Sequence, residues 1–161
     1  MKRFIIMLII AVVIFIVVGI WYYSYMKGNV MDGDGMIYES ISEIELVVND
    51  KVFTISLTDN SATRELVEKL KKDNIVVSMD DYGGFEKVGS LGFDLFTGDE
   101  TITTVPGDVI LYQGNQLVIF YGSNTWSYTK LGHILHASES DLKSALGDGK
   151  VEVILRIGSR K

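Results

Sequence analysis

The 161-residue chain has no cysteine. That removes disulfides, thiolate metal sites and thiol nucleophiles, and leaves no thiol for a lipid chain. The folded part must therefore be held together by its core. A basic excess is also missing. Lys and Arg number 15 against 21 Asp and Glu, and setting aside Lys2 and Arg3 leaves 13 against 21, a net charge of −8. Nucleic acid and tight docking on anionic lipid both draw on basic patches, so neither is expected. A third absence is local: the twenty residues from Phe4 to Tyr23, FIIMLIIAVVIFIVVGIWYY, carry no charge. At ~1.5 Å rise per residue such a run crosses a hydrocarbon core of ~30 Å. Lys2 and Arg3 precede it, and Trp21, Tyr22, Tyr23 and Tyr25 lie at its end, the flanks expected of a span with its N-terminus inside. Residues 1–25 therefore read as a transmembrane anchor or uncleaved signal, in contact with the membrane through residues 4–23. The protein is expected in the cell membrane as a single-pass chain, N-terminus cytoplasmic and the remainder extracytoplasmic. The run closes on Gly19, Ile20, Trp21, Tyr22 and Tyr23, a poor match to the small residues that precede a signal-peptide cut; a cleaved segment would give a secreted protein.

Residues 26–41 read as a flexible linker, in which Gly28, Gly33 and Gly35 with Asn29, Asp32 and Asp34 break any periodicity. The DGDG within it lacks the further acids and closing Glu of a calcium loop. Residues 42–158 form the folded domain. Ile44, Leu46 and Val48 alternate with polar neighbours, Asn49-Asp50 turns, and Val52 to Leu57 returns, which predicts a hairpin. DNSATRELVEKLKKDN predicts a helix, capped by Asn60 or Ser61, with an apolar stripe of Ala62, Leu66, Val67 and Leu70. Strands are expected at IVVSM, at Leu91 to Phe96, and in a hairpin of Val109 to Tyr112 and Leu117 to Tyr121 turning on Gly114-Asn115. GSNTWSYTK reads as a loop and LGHILHA as a strand. SESDLKSALG reads as a short helix, with Ser138 and Asp141 as capping box and Gly147 as stop. KVEVILRI closes the chain as a strand. About eight strands and two helices with turn signals between them point to a mainly β barrel or sandwich.

The order LTDNSATRELVEKL, MDDYGGFEKVGSL, VPGDVILYQGNQLVIFYG, LGHI resembles the bacterial cyclophilin-like domain family, over about Ser42 to Ile157. Its most specific parts are Pro106 to Gly122 and Leu131 to Ile134. The resemblance implies a closed, roughly eight-stranded cyclophilin-like barrel with two short helices plugging it, and no securely assigned activity. A barrel of that size is filled by its own side chains, so a ligand must bind on the outer wall or at the rim. Cyclophilins turn over X-Pro bonds in such a groove with an Arg on a strand after the first helix. This chain has no Arg between Lys72 and Gly107. Lys87 lies near, but an ammonium is a point charge without the planar bidentate fork.

Three groups of residues carry possible chemistry. In MDDYGGFEKVGSLG, residues 79–92, Gly83-Gly84 permits a tight bend. The stretch reads as a strand corner, with Tyr82 and Phe85 covering a barrel end, or as a groove wall of Tyr82, Glu86 and Lys87, with Glu86 and Lys87 expected to be solvated. Trp126 and Tyr128, on the expected loop, either anchor a peptide or fold back as a lid. His133 and His136 fall on opposite faces of a strand, and Asp80 and Asp81 do likewise, so neither a metal nor a carboxylate pair is expected, and no cofactor. No serine has a G-x-S-x-G setting. The leading expectation is a membrane-tethered module that binds a small ligand or peptide without catalysis, through Tyr82, Phe85, Glu86, Trp126 and Tyr128. A divergent prolyl isomerase and a structural accessory domain of an envelope complex are the alternatives.

Overall fold

Alternation of apolar and polar residues sets the architecture of the folded domain, strand by strand. The computed structural model describes residues 13–23, 29–31, 37–39 and 41–158, and the chain divides into two compact units, Met1–Ile41 and Ser42–Lys161. In the first, residues 13–23 are helical (α1). Within the stretch read as linker, β1 (Asn29–Met31) and β2 (Ile37–Glu39) pair antiparallel, Val30 opposite Tyr38. These short β-favouring runs flank the Gly- and Asp-rich stretch of the sequence that hid them. Among the described residues no helix is long and apolar enough to cross a membrane. Residues 4–12 of the apolar run lie outside the described residues.

The second unit contains β3 (Glu43–Val48), β4 (Lys51–Leu57), α2 (Ser61–Leu70), β5 (Ile75–Tyr82), β6 (Glu86–Ser90), β7 (Glu100–Thr103), β8 (Asp108–Tyr112), β9 (Gln116–Phe120), β10 (Thr125–Ile134), α3 (Glu139–Leu146) and β11 (Val151–Arg156). Eight of the strands close a ring in the order β4-β3-β11-β5-β6-β9-β8-β10, with β10 returning to β4. The ring is antiparallel throughout. Closure leaves no exposed edge within the ring itself. At the closing pair Gly132 faces Leu57, and a Cβ on Gly132 would collide with the Ser56 carbonyl oxygen. The seventh strand, β7, pairs only with the first half of β10, outside the ring.

Inward-facing residues include Ile44, Leu46, Val48, Val77, Met79, Leu117, Ile119, Val153 and Leu155, all buried. The expected caps are in place. Asn60 accepts from the Thr63 N–H at the start of α2, Ser138 accepts from the Asp141 N–H at the start of α3, and Gly147 ends α3. The α2 stripe of Ala62, Leu66, Val67 and Leu70 is buried.

Three local expectations are corrected. Leu91 to Phe96 is a loop, not a strand: Gly92 takes a positive φ of 80°. Its buried Leu91 and Leu95 instead pin the segment, their N–H groups donating to Asn115 and Gly114 carbonyls. The β8–β9 turn falls one residue early, with Gln113 and Gly114 at φ 51° and 79°. Trp126 and Tyr128 lie on β10 rather than on a loop, because Thr125 to Tyr128 pair with Thr103 to Glu100 of β7.

Candidate functional site

MDDYGGFEKVGSLG folds as the β5–β6 hairpin. Gly83 and Gly84, at φ 62° and 75°, open a three-residue turn, Gly83 to Phe85, in a conformation that side-chain-bearing residues rarely adopt. The stretch is therefore a corner. The same geometry makes it a wall, because the register sets Tyr82 opposite Glu86, and Glu86 opposite Phe120 of β9. These residues share the outer face of the barrel. Across β6, β9 and β8 that face continues through Val88, Val118 and Ile110. Ile110, Val118, Phe120 and Tyr128 form a buried cluster there, packed by Phe85, Val88, Ile102 and Tyr112.

Beside the cluster lies a groove of about 370 Å³, walled by Tyr82 from β5, Glu86 and Val88 from β6, Tyr112 and Val118 from the β8–β9 hairpin, Asn124, and Trp126 and Tyr128 from β10. Trp126 and Tyr128, two apart on a strand, share a face. Tyr128 is 5% exposed and Trp126 58%. Tyr128 packs edge-on to Tyr112 and Phe120, at ring-centre distances of 5.9 and 5.7 Å. Its hydroxyl accepts a hydrogen bond from Asn124 Nδ2 at 3.0 Å. Burial, then the Glu86 charge, raises its pKa. Of the five residues singled out from sequence, Tyr82, Glu86, Trp126 and Tyr128 meet at this groove. The fifth, Phe85, stands behind it, stacked on Phe120 at 6.2 Å and edge-on to Tyr82 at 6.5 Å.

The expectation that Glu86 and Lys87 are solvated is corrected: they are 6% and 0% exposed. The cause is position. β6 sits between β5 and β9, so Glu86 is covered by the outer-wall aromatics while Lys87, opposite Ile119, points into the barrel. Glu86 Oε2 is buried without a hydrogen-bond partner. Burial pushes its carboxyl from the ordinary 4.5 up to about 7.

Lys87 has a different fate. Its Nζ donates to the Gly149 carbonyl at 2.6 Å and lies 2.9 Å from Asp81 Oδ2. Asp81 also accepts from the Tyr121 hydroxyl and the Gly149 N–H, each at 2.6 Å. The Tyr121 and Lys87 hydrogen bonds hold the Asp81 carboxyl below its usual value, while burial and Asp81 raise the Tyr121 phenol. The sequence reading missed this cluster. Its signal was the turn of Gly83 to Phe85, whose three residues put Asp81 directly opposite Lys87. A second depression of about 300 Å³ borders it, with Lys143 and Asp148 on its wall.

His133 does not act with His136. Its Nδ1 lies 2.9 Å from Asp108 Oδ1, which also meets Lys130 Nζ at 2.7 Å. Burial alone would raise Asp108, but hydrogen bonds from Lys130, His133 and the Val105 N–H outweigh it and hold the carboxyl low. Among the described residues no His, Cys, Asp and Glu cluster is arranged to hold a metal. Of the described arginines, Arg64 pairs with Asp59 and Arg156 with Glu45, and neither lines the groove.

Comparison with solved structures gives likenesses of fold. A hypothetical protein, AF2241 from Archaeoglobus fulgidus, superposes with a TM-score of 0.55 at 12% identity, over 73% of this chain and 95% of that one. McbB, solved in complex with tryptophan, superposes with a TM-score of 0.51 at 16% identity, over 73% of this chain and 45% of that one. No curated protein matches the chain. The family model for the cyclophilin-like family matches residues 46–157, almost the whole barrel, and the chain belongs to that family.

Proposed function

We propose that the barrel is a non-catalytic binding module that takes a small ligand or peptide in its outer-wall groove, held at the membrane surface by residues 4–23 and facing out of the cytoplasm. The observation that carries the binding reading is the pairing of exposed and buried aromatics around one concavity. Tyr82 and Trp126 are 65% and 58% exposed at the groove, while Tyr128 is buried within it. Large amphipathic rings at a concave site are the usual anchors of recognition. A barrel that only presented a surface would have little use for them. The non-catalytic reading rests on the lining. The groove carries no Arg, and the basic residue nearest in sequence, Lys87, is turned into the barrel against Asp81. The tether rests on the uncharged run from Phe4 to Tyr23 with its basic and aromatic flanks.

The test is exchange spectroscopy of X-Pro peptides in the presence of the protein. Uncatalysed interconversion takes tens to hundreds of seconds, so catalysis would be conspicuous. The binding reading expects no acceleration together with shifts of the Trp126 indole signal. Acceleration that vanishes in Glu86→Ala or Tyr82→Ala would instead make the protein a divergent isomerase.

A further inference from the structure

We propose that the groove selects its ligand through a protonated amine: an alkylammonium group that pairs with the Glu86 carboxylate among the rings of Tyr82, Tyr112, Trp126 and Tyr128. The inference rests on the groove being a binding site and adds the chemistry of what it binds.

Glu86 is 6% exposed, lines the groove, and has a buried oxygen with no partner. Buried polar atoms in folded proteins are nearly always satisfied, and each exception calls for a physical account. The rest of the barrel shows how this chain treats a buried acid. The other buried acid among the described residues, Asp108, 2% exposed, holds Lys130 and His133, and even the partly exposed Asp81 holds Lys87, Tyr121 and the Gly149 N–H. Glu86 alone among these three is left open, and it is the one that borders the aromatic groove. A cation from outside completes it.

The lining discriminates between ligand classes. It contains one carboxylate and no basic side chain, so a carboxylate or phosphate would meet like charge. A purely apolar ligand would strip the remaining water from Glu86 and give nothing back, which is the costly case for a buried charge. An ammonium gains on both counts. It supplies charge-assisted hydrogen bonds to the carboxylate, and aromatic faces attract it through the ring quadrupole. The excess of acids over bases in the chain adds a long-range pull on cations. A free small amine and a lysine side chain of a peptide present the same group, and a cavity of about 370 Å³ lies in the range for small ligands.

The experiment is calorimetric titration of the full-length protein at pH 8 with two matched pairs of probes. One pair is phenethylammonium and 2-phenylethanol. The other is a capped tetrapeptide containing Lys-Phe and its acetyl-lysine counterpart. We expect the charged member of at least one pair to bind about tenfold or more tightly than its neutral partner, the scale of a desolvated cation contact. The pair that shows the ratio identifies the source, small amine or peptide lysine. Glu86→Gln, which keeps the shape of the side chain, should abolish the ratio by weakening the charged member and lifting the desolvation penalty that the carboxylate places on the neutral one. Equal binding of charged and neutral members would overturn the proposal and leave the groove reading standing. A ratio that survives Glu86→Gln would overturn it by assigning the cation to another acid. Absence of binding by every probe would overturn it as well, and the X-Pro peptide shifts at Trp126 would then decide the groove reading separately.

Discussion

Glu86→Gln also reports on the free protein, because an unpartnered buried carboxyl couples its ionisation to folding. The folded-state value of about 7 stands above the ordinary 4.5. Below pH ~4.5 the group is protonated in both states and has no effect on stability. Between about 4.5 and 7 the folded state holds the proton more tightly than the unfolded chain, so stability falls as pH rises. Above ~7 the loss is complete. At ~1.4 kcal/mol per pH unit the interval amounts to about 3–4 kcal/mol, an upper figure, since relaxation of the groove and entry of water reduce it. Glutamine has the same shape and no charge. Urea unfolding of the full chain at pH 5, 6, 7 and 8 should show the unmutated protein losing stability across the series relative to Glu86→Gln, with a midpoint difference that grows with pH and an unchanged denaturant slope. A difference that is constant across pH 5 to 8 would refute the claim that the carboxyl is buried and unpaired.

The acid limb should behave oppositely. Asp81 and Asp108 are held below the ordinary 3.8, so the stability they add is present above about pH 4 and lost as pH falls through their lowered values, and Asp108→Asn should flatten acid unfolding. Lys87→Ala removes one partner of an ion pair whose lysine is wholly buried and whose Asp81 side chain is 33% exposed. A loss toward the low end of ~3–5 kcal/mol is expected in denaturant unfolding, with Lys87→Met costing less because it keeps the volume. Gly89→Ala would bring a Cβ to 2.5 Å from the Ser78 carbonyl oxygen and 2.6 Å from Val77 Cγ1, so a cost of ~1–3 kcal/mol in thermal or urea unfolding is expected. Asn60→Ala should cost about 1–2 kcal/mol, since Asn60 both caps α2 and donates to the Lys130 carbonyl at 2.7 Å.

What could be read in advance divides along a physical line. Features determined by near neighbours were legible. Ile44, Leu46 and Val48 alternate, Asn60 and Ser138 cap, Gly147 stops a helix, and Gly83-Gly84 bends a hairpin. Features determined by partners far along the chain were not. Thr125 to Tyr128 alternate polar and aromatic residues over only four positions after a polar Gly-Ser-Asn run, and it is β7 beside them that completes them as strand. Leu91 and Leu95 look like strand residues but serve as plugs under a loop. The burial of Glu86 and Lys87 depends on the register of three strands at once, and nothing in the dipeptide signals it. For the site, the sequence named four residues of the groove wall by their chemistry, and placed Phe85 there when it stands one layer back. Tyr112 and Val118 were seen only as hairpin residues, because their side of the hairpin is decided by how β9 meets β6. The anchor reading concerns residues 4–23, of which 4–12 lie outside the described residues.

The most direct test of the outer-wall groove uses the chain's two tryptophans, Trp21 in α1 and Trp126 on β10. Their indole N–H signals, assigned by Trp126→Phe, can be followed while X-Pro peptides and the amine probes are titrated in. The account predicts a saturable shift of the Trp126 signal with little change at Trp21, and loss of affinity in Trp126→Ala without loss of fold. Binding that leaves the Trp126 indole unmoved, or that survives Trp126→Ala undiminished, would place the ligand elsewhere and contradict the account.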